Sequence, residues 1–589
     1  VPQRPPIVSS VDDAYEFFRW LSNKSRVAFD TETTSVSLYA PDFSVRLIQF
    51  ATVDEAWVIP FQQWSGLVAD VFDRFEGEWV AHNSRYDCGA LKREDIHVPL
   101  EKLDDTMIML RLAEPTQSAG LKESAGRHVA SGVAAAQKEL HEAMRKQGWG
   151  WDDVPLDFPA YTFYGAMDGI LTARLDQTDV AKRGRASPVY NMELEVRGAC
   201  SRMEELGLKV DVELAMKASE ELRRQSEEMK ARVLDALGLT LTSNDQLGRY
   251  FLSQPEARAV MTRTTPSGKA SVDKETLEAI SRTGGTAARV AVSAIECRKY
   301  DKLASTYFDN FVDWADADQL IHPQINTLAA RTGRMSVQEP ALQTLPVRNT
   351  DSDAQLVRKC VIPRDDDHVI VSCDAAQIEL RLISALSRDP GLIAAFFEAD
   401  LPGGTDFFTT SARDVYRDST LVKSDGRRGT IKTFWYASAY GAGVEKMAIS
   451  AGVPVDEMRG VKQGIQDSYP GFYSFMAVNE RMARDSGGWI ETAYGRRLPV
   501  DEGKEYVATN TRIQGTAADV MKLMIIDLAQ AGFDDMMLVP VHDELVFSVP
   551  REGVEETCRE IERNMERLTD FAVPLRVEAG YGDTWGDAK

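Results

Sequence analysis

The spacing of apolar residues divides the chain into three stretches. Over residues 1–180, short runs of period two alternate with helical runs. SRVAFDTETTS, SVRLIQFATV and EAWVIPF read as strands, and EWVAHN as a fourth that leads into a helix near Asn83-Ser84. Such alternation predicts an α/β domain on a mixed sheet. From 189 to about 310 the period lengthens to that of helices. VYNMELEVRGACSRMEELG predicts a helix stopped at Gly207, and ELAMKASEELRRQSEEMKARVLDALG a long, solvated one stopped at Gly238. Between them and the first stretch, AKRGRASP (181–188) is basic, small and proline-terminated, and predicts a boundary. Beyond 310, strands and helices mix to the C-terminus. Two apolar runs stand out there: HVIVSCD, which ends at Asp374, and MMLVPVHDELVFSVP, which predicts strand, tight turn and strand with His542 and Asp543 at the tip.

Length and charge adjust this picture modestly. A chain of 589 residues exceeds what one core supports, so about two to four domains are expected. Hydrophobic residues at 43% and charged residues at 27% are ordinary for a globular protein. No apolar run reaches the roughly 18–20 residues that cross a bilayer, and VPQRPPIVSS lacks the apolar core of a secretory signal. Cys88, Cys200, Cys297, Cys360, Cys373 and Cys558 form no CxxC pair, which argues for a reducing compartment and against a zinc site. The net charge of −23 argues against a nucleic-acid partner globally, but basic clusters such as Arg427-Arg428 and Arg496-Arg497 leave a local groove available.

Two acidic clusters carry the chemistry. Asp30 and Glu32, two apart on a strand, point to one face. Asp87 falls on the first turn of the following helix, and Tyr164 and Asp168 are i and i+4 on another. Four acids with a tyrosine suggest a two-metal hydrolytic site in which Tyr164 orients the attacking water. Asp374 and Asp543-Glu544 place carboxylates where hydrophobic strands stop, which suits a pair of magnesium ions roughly 3.5–4 Å apart. Arg428, Lys432, Tyr436 and Tyr440 recur every fourth residue, a slowly turning helical stripe with cations first and rings after, fitted to a nucleoside triphosphate.

The order of these motifs carries a resemblance. DxE, N-x3-D and Y-x3-D, with LDDTM at 103–107, resemble the tyrosine-type DEDD 3′–5′ exonucleases. DAAQIELR (374–381), R-x3-K-x3-Y-x3-YG (428–441) and VHDE (541–544) resemble the three polymerase motifs of family A DNA polymerases, and the likeness runs from about residue 20 to the end. It implies an α/β and α+β multidomain architecture. A ribonuclease H-like exonuclease domain (1–180) would precede a right-hand polymerase domain (181–589). The thumb would lie near 189–310, the palm near 311–385 and 500–589, and the fingers near 386–499.

The resemblance also implies roles. Asp374 and Asp543 would hold two Mg2+ ions with the carbonyl of residue 375 helping, and Glu544 would be a secondary catalytic acid. Asp30, Glu32, Asp87 and Asp168 would hold two more, with Mn2+ as a substitute. Arg428 and Lys432 would bind the triphosphate, Lys432 also protonating the leaving pyrophosphate, with Tyr436, Tyr440 and Gln377 completing the nucleotide site. Glu379 would be the steric gate against a ribose 2′-hydroxyl. Arg334, Gln343, Asn510, Gln514 and His542 would contact the DNA. Phe408 stands where the family usually has His, a departure that leaves one phosphate contact implied by the resemblance in doubt. No 5′-nuclease segment is recognisable, so the expectation is a monomeric, replicative, phage-like polymerase. It would act on primer–template DNA and dNTPs in the cytoplasm, assisted by a helicase, single-strand binding protein or processivity factor.

Overall fold

The computed structural model describes residues 5–130, 133–345, 352–439, 441–567 and 570–588. The N-terminal stretch folds around a five-stranded sheet of β1 (Arg26–Thr33), β2 (Val45–Ala51), β3 (Ala56–Pro60), β4 (Glu78–Ala81) and β5 (Leu103–Asp105). Its order is β3-β2-β1-β4-β5, antiparallel on the β3 side and parallel from β1 to β5. The four expected strands are present, and LDD supplies the fifth. Helix α1 (Ser84–Lys92) follows β4, α2 (Leu121–His128) lies beyond β5, and α3 (Pro159–Asp176) packs across β1 and β2. Two glycines let α3 come so close. A Cβ at Gly165 would sit 2.1 Å from Gln49 Nε2, and one at Gly169 2.9 Å from the Ala51 methyl.

The boundary stretch is a packed element rather than an open linker. Residues Asp179–Arg185 form a helix in which Gly184 abuts the Met109 carbonyl, and Arg185 pairs with Asp104 and Asp176. Its basic residues are therefore partly spent on internal acids. Next come α4 (Tyr190–Leu206) and α5 (Val212–Leu237), which stop at Gly207 and Gly238 as their sequences predict; both glycines have positive φ, 68° and 66°. Helix α6 (Gly285–Leu303) packs against α5 over a separate apolar cluster that includes Leu247, Phe251 and Ile280.

The expected palm is a four-stranded antiparallel sheet, β6 (His368–Ala375), β7 (Met537–Val541), β8 (Glu544–Pro550) and β9 (Val577–Gly582), in the order β7-β8-β6-β9. Strand β6 is apolar in nearly every position because both faces are covered. Val369, Ile370, Val371 and Cys373 are buried, each Val or Ile contributing about 1.5–3 kcal/mol. The amphipathic helix Val554–Glu566 covers one face through Cys558, Ile561 and Met565. Helices α7 (Ile378–Ser387), α8 (Phe407–Tyr416), α9 (Gly426–Ala439) and α10 (Ala508–Leu528) complete the frame of the site.

Helix α4 is the joint between the two halves. On one side Arg197 pairs with Asp105 at 2.8 Å and Glu204 with Arg85 at 2.9 Å. On the other, Glu193 enters a buried ionic network in which it accepts from Lys522 Nζ at 2.5 Å and from Arg496. Arg496 Nε in turn reaches Asp519 Oδ1 at 2.7 Å. No helix among the described residues is long and apolar enough to cross a membrane.

Candidate active sites

The exonuclease acids converge as their strand and helix positions predict. Asp30 and Glu32 on β1 and Asp168 on α3 each offer an oxygen, and the three oxygens lie within 4.8 Å of one another. Asp87 stands beside them, its Oδ1 accepting from Thr31 N at 2.9 Å and Thr31 Oγ1 at 2.7 Å. The helix that carries Asp87 is capped from a neighbouring strand. Asp105 at the end of β5 accepts from Ser84 N at 2.8 Å, while Asn83 turns the chain in a left-handed conformation, φ 62°. Burial and mutual repulsion push Asp30, Glu32 and Asp87 well above the usual carboxylate range, Glu32 to about 8. An all-oxygen donor set of this charge fits hard divalent cations.

Lys122 of α2 also stands in this cluster, in contact with Asp168 Oδ1 and 4.8 Å from the centroid of the Tyr164 ring. Burial draws its ammonium down to about 8 against the pull of Asp30 and Glu32. Sequence reasoning missed it. A single lysine in LKESAGRH carries no pattern, and only the fold brings it to the acids.

At the far end of the chain, the β7–β8 turn and the end of β6 meet. Asp374 faces Glu544 across the ladder, and Ala375 N donates to the Asp543 carbonyl at 2.9 Å. His542 makes the turn with φ 56°, and Gln377 starts α7 with φ 53°, non-glycine residues held in a costly conformation beside the carboxylates. A cleft of about 390 Å³ is lined by Asp374, Asp543, Glu379, Gln377, Arg334, Gln343, Tyr436 and His542, with Ala517, Ala518 and Met521 of α10 as one wall. Burial raises the Asp543 and Glu379 carboxyls; Arg334 opposes both, and bonds directly to Glu379.

Not every expected residue comes to this cleft. Glu544 Oε1 accepts from Ser372 Oγ at 2.5 Å and Trp585 Nε1 at 2.7 Å, so its carboxylate is engaged as an internal anchor, where a secondary catalytic acid was expected. Asn510 lies on the first turn of α10 beside an adjoining apolar hollow with Phe434, Tyr473 and Tyr506, apart from the carboxylates, and Gln514 is half-buried one turn on. Tyr440 lies outside the described residues. Arg428 and Lys432 sit nearer the start of α9, ahead of Tyr436. Arg428 is held by Asp406, the N-cap of α8, at 2.8–3.0 Å, a contact that sequence reasoning missed because Asp406 reads only as a helix start. The Phe408 ring lies beneath both cations, 5.5 Å from the Arg428 guanidinium and 5.8 Å from Lys432 Nζ, and 5.8 Å from the Tyr436 ring. Phe408 thus forms an aromatic floor under two cations.

Residues 212–587 match DNA polymerase family A, and residues 5–178 match a 3′-5′ exonuclease family. The chain belongs to DNA polymerase family A and carries a 3′-5′ exonuclease domain. It is a DNA-directed DNA polymerase with proofreading activity, and both of its families are metal-dependent. Among relatives, the DNA polymerase of Mycobacterium phage D29 is 30% identical over 98% of this chain and 95% of its own length. The thermostable DNA polymerase I of Thermus aquaticus is 31% identical over 68% of this chain and 48% of its own. The fold matches the POL domain of Pol1 from M. smegmatis, in complex with DNA primer-template and dNTP, with a TM-score of 0.79 at 23% identity, covering 99% of this chain and 100% of that one.

Proposed function

We propose that the palm cleft extends a DNA primer and that the N-terminal acid cluster trims it, each with a pair of magnesium ions for which Mn2+ can substitute. The observation that carries this reading is the convergence of Asp374, Asp543, Glu379 and Tyr436 on one cleft. Asp374 and Asp543, with the carbonyl of Ala375, would hold the ions for synthesis; Asp30, Glu32, Asp87 and Asp168 would hold those for trimming. Bound there, the ions supply neutralising charge for phosphoryl transfer.

The chain's own groups do the positioning. Arg428 and Lys432 bind the triphosphate along α9, and Lys432, exposed at its edge, gives a proton to the departing pyrophosphate. Glu379, buried and fixed by Arg334, fills the space a ribose 2′-hydroxyl would need. Gln377 and the Tyr436 ring bound the nucleotide pocket. Arg334, Gln343, Gln514, Asn510 and His542 face the primer–template, Arg334 exchanging Glu379 for a base edge. In the trimming site Tyr164 orients the attacking water. Primer–template DNA and dNTPs are the partners, in line with the complex formed by the structural relative. With a helicase, single-strand binding protein or processivity factor assisting, the monomer would replicate a phage genome in the bacterial cytoplasm. A paired assay tests the division of labour. Asp543→Ala should abolish extension and spare degradation, and Asp30→Ala should do the reverse; loss of both activities in either variant refutes two independent centres.

A further inference from the structure

The exonuclease acids enclose a cation that their ligand set does not account for. Lys122 has a side chain only 16% exposed, touches Asp168, and lies over the face of Tyr164. Its charge also acts on Asp30 and Glu32, so one ammonium stands among three carboxylates whose oxygens lie within 4.8 Å. Packing does not require a lysine there, because α2 is anchored by its buried Ser124 and Ala125. A buried ammonium is costly unless acids repay it, and a buried acid cluster is costly without a counter-charge. Each therefore stabilises the other.

We infer that Lys122 is a resident counter-ion of the exonuclease centre, holding Asp30, Glu32 and Asp168 together between metal occupancies and competing with divalent cations for them. An ammonium and a divalent ion cannot share these oxygens, since like charges a few ångströms apart repel strongly at protein dielectric. Lys122 must withdraw as an ion enters, and its withdrawal uncovers the face of Tyr164. Lys122 is thus a positioning residue that links metal entry to the freedom of the tyrosine. The inference rests on the metal-binding reading of Asp30, Glu32 and Asp168 given above.

The test is a Mn2+ titration, read by water-proton relaxation, on the full chain carrying Asp374→Asn and Asp543→Asn. Those changes reserve the signal for the exonuclease acids. Lys122→Met should bind Mn2+ about tenfold tighter than the parent, one like charge having left the site. Its metal-free exonuclease half should melt earlier, with Mn2+ restoring it, while Lys122→Arg stays within about twofold of the parent because it keeps the charge. Unchanged or weaker Mn2+ binding by Lys122→Met overturns the inference. If that result comes with a raised KM for single-stranded DNA, Lys122 is a phosphate contact instead. If the parent shows no Mn2+ binding sensitive to Asp30→Ala, the metal-binding reading itself fails.

Discussion

Replacing Glu193 by alanine should loosen helix α4 from α10 more than any comparable surface change. Glu193, Lys522 and Asp519 are fully buried, and Arg496 nearly so, at 2%. The four charges cancel: two acids, two bases, and Thr492 Oγ1 donating to Asp519 Oδ2 at 2.6 Å. Removing one acid strands a positive charge in a dry site, at a cost of roughly 3–5 kcal/mol. For a polymerase unit of roughly 400 residues, whose unfolding entropy is about 0.8 kcal/mol/K, that corresponds to a fall of about 4–6 °C in melting temperature. The effect should depend on pH. Burial already draws Lys522 down to about 8. Above that pH the native lysine is neutral, one acid is already in excess, and losing Glu193 costs less. Differential scanning calorimetry at pH 7 and pH 9, with Glu193→Gln for comparison, measures both. Exonuclease activity on single-stranded DNA should survive, because the N-terminal sheet has its own apolar cores. A shift below about 2 °C at pH 7, or equal shifts at both pH values, would refute the reasoning.

Three further outcomes are expected. Tyr436→Phe should lower use of dideoxynucleotides against deoxynucleotides by roughly 10–100-fold, the worth of a hydroxyl donated to a charged group; equal use by both proteins in a competition assay sinks the idea. Phe408→Leu should raise KM for dNTPs about threefold to tenfold with little change in kcat, because two cation–π contacts are lost; an unchanged KM removes the aromatic floor from the argument. The metal-free exonuclease half should lose stability as pH rises. Glu32 titrates at about 8 when folded against an ordinary 4.5, so the folded chain keeps a proton that the unfolded chain has released. That stability is fully present below pH 4.5 and is lost as pH rises through about 8. Thermal melts in EDTA from pH 5 to 9 should show it and Mg2+ should reverse it, whereas a flat profile contradicts it.

The parts of both sites that lie on regular elements were legible in the chain. Period two put Asp30 and Glu32 on one face, period 3.6 put Asp168 one turn from Tyr164, and an apolar run that stops abruptly exposed Asp374 and Asp543. What stayed hidden depends on where helices land. Lys122 reaches the acids from a short helix with no pattern of its own. Asp406 serves two purposes with one carboxylate, and only the capping purpose leaves a local signature. Glu544 shows the converse. Its place beside Asp543 suggested a secondary catalytic role, while Ser372 and Trp585, both distant in sequence, hold its Oε1.

The hydrogen bond from Ala375 N to the Asp543 carbonyl has a consequence for how such an enzyme fails and how it changes. Asp374 sits on a rung of the β-ladder opposite Glu544, and Asp543 sits in the two-residue turn beside it, tied to Ala375 by that bond, so their separation is set by strand pairing and one short, bonded turn. Loosening of the fingers or thumb should leave that spacing intact and alter only what is bound. Loss of synthesis on heating should therefore be abrupt, arriving with the melting of the palm sheet. By the same token, substrate preference can drift through α8 and α9 while the chemical step keeps a fixed gauge.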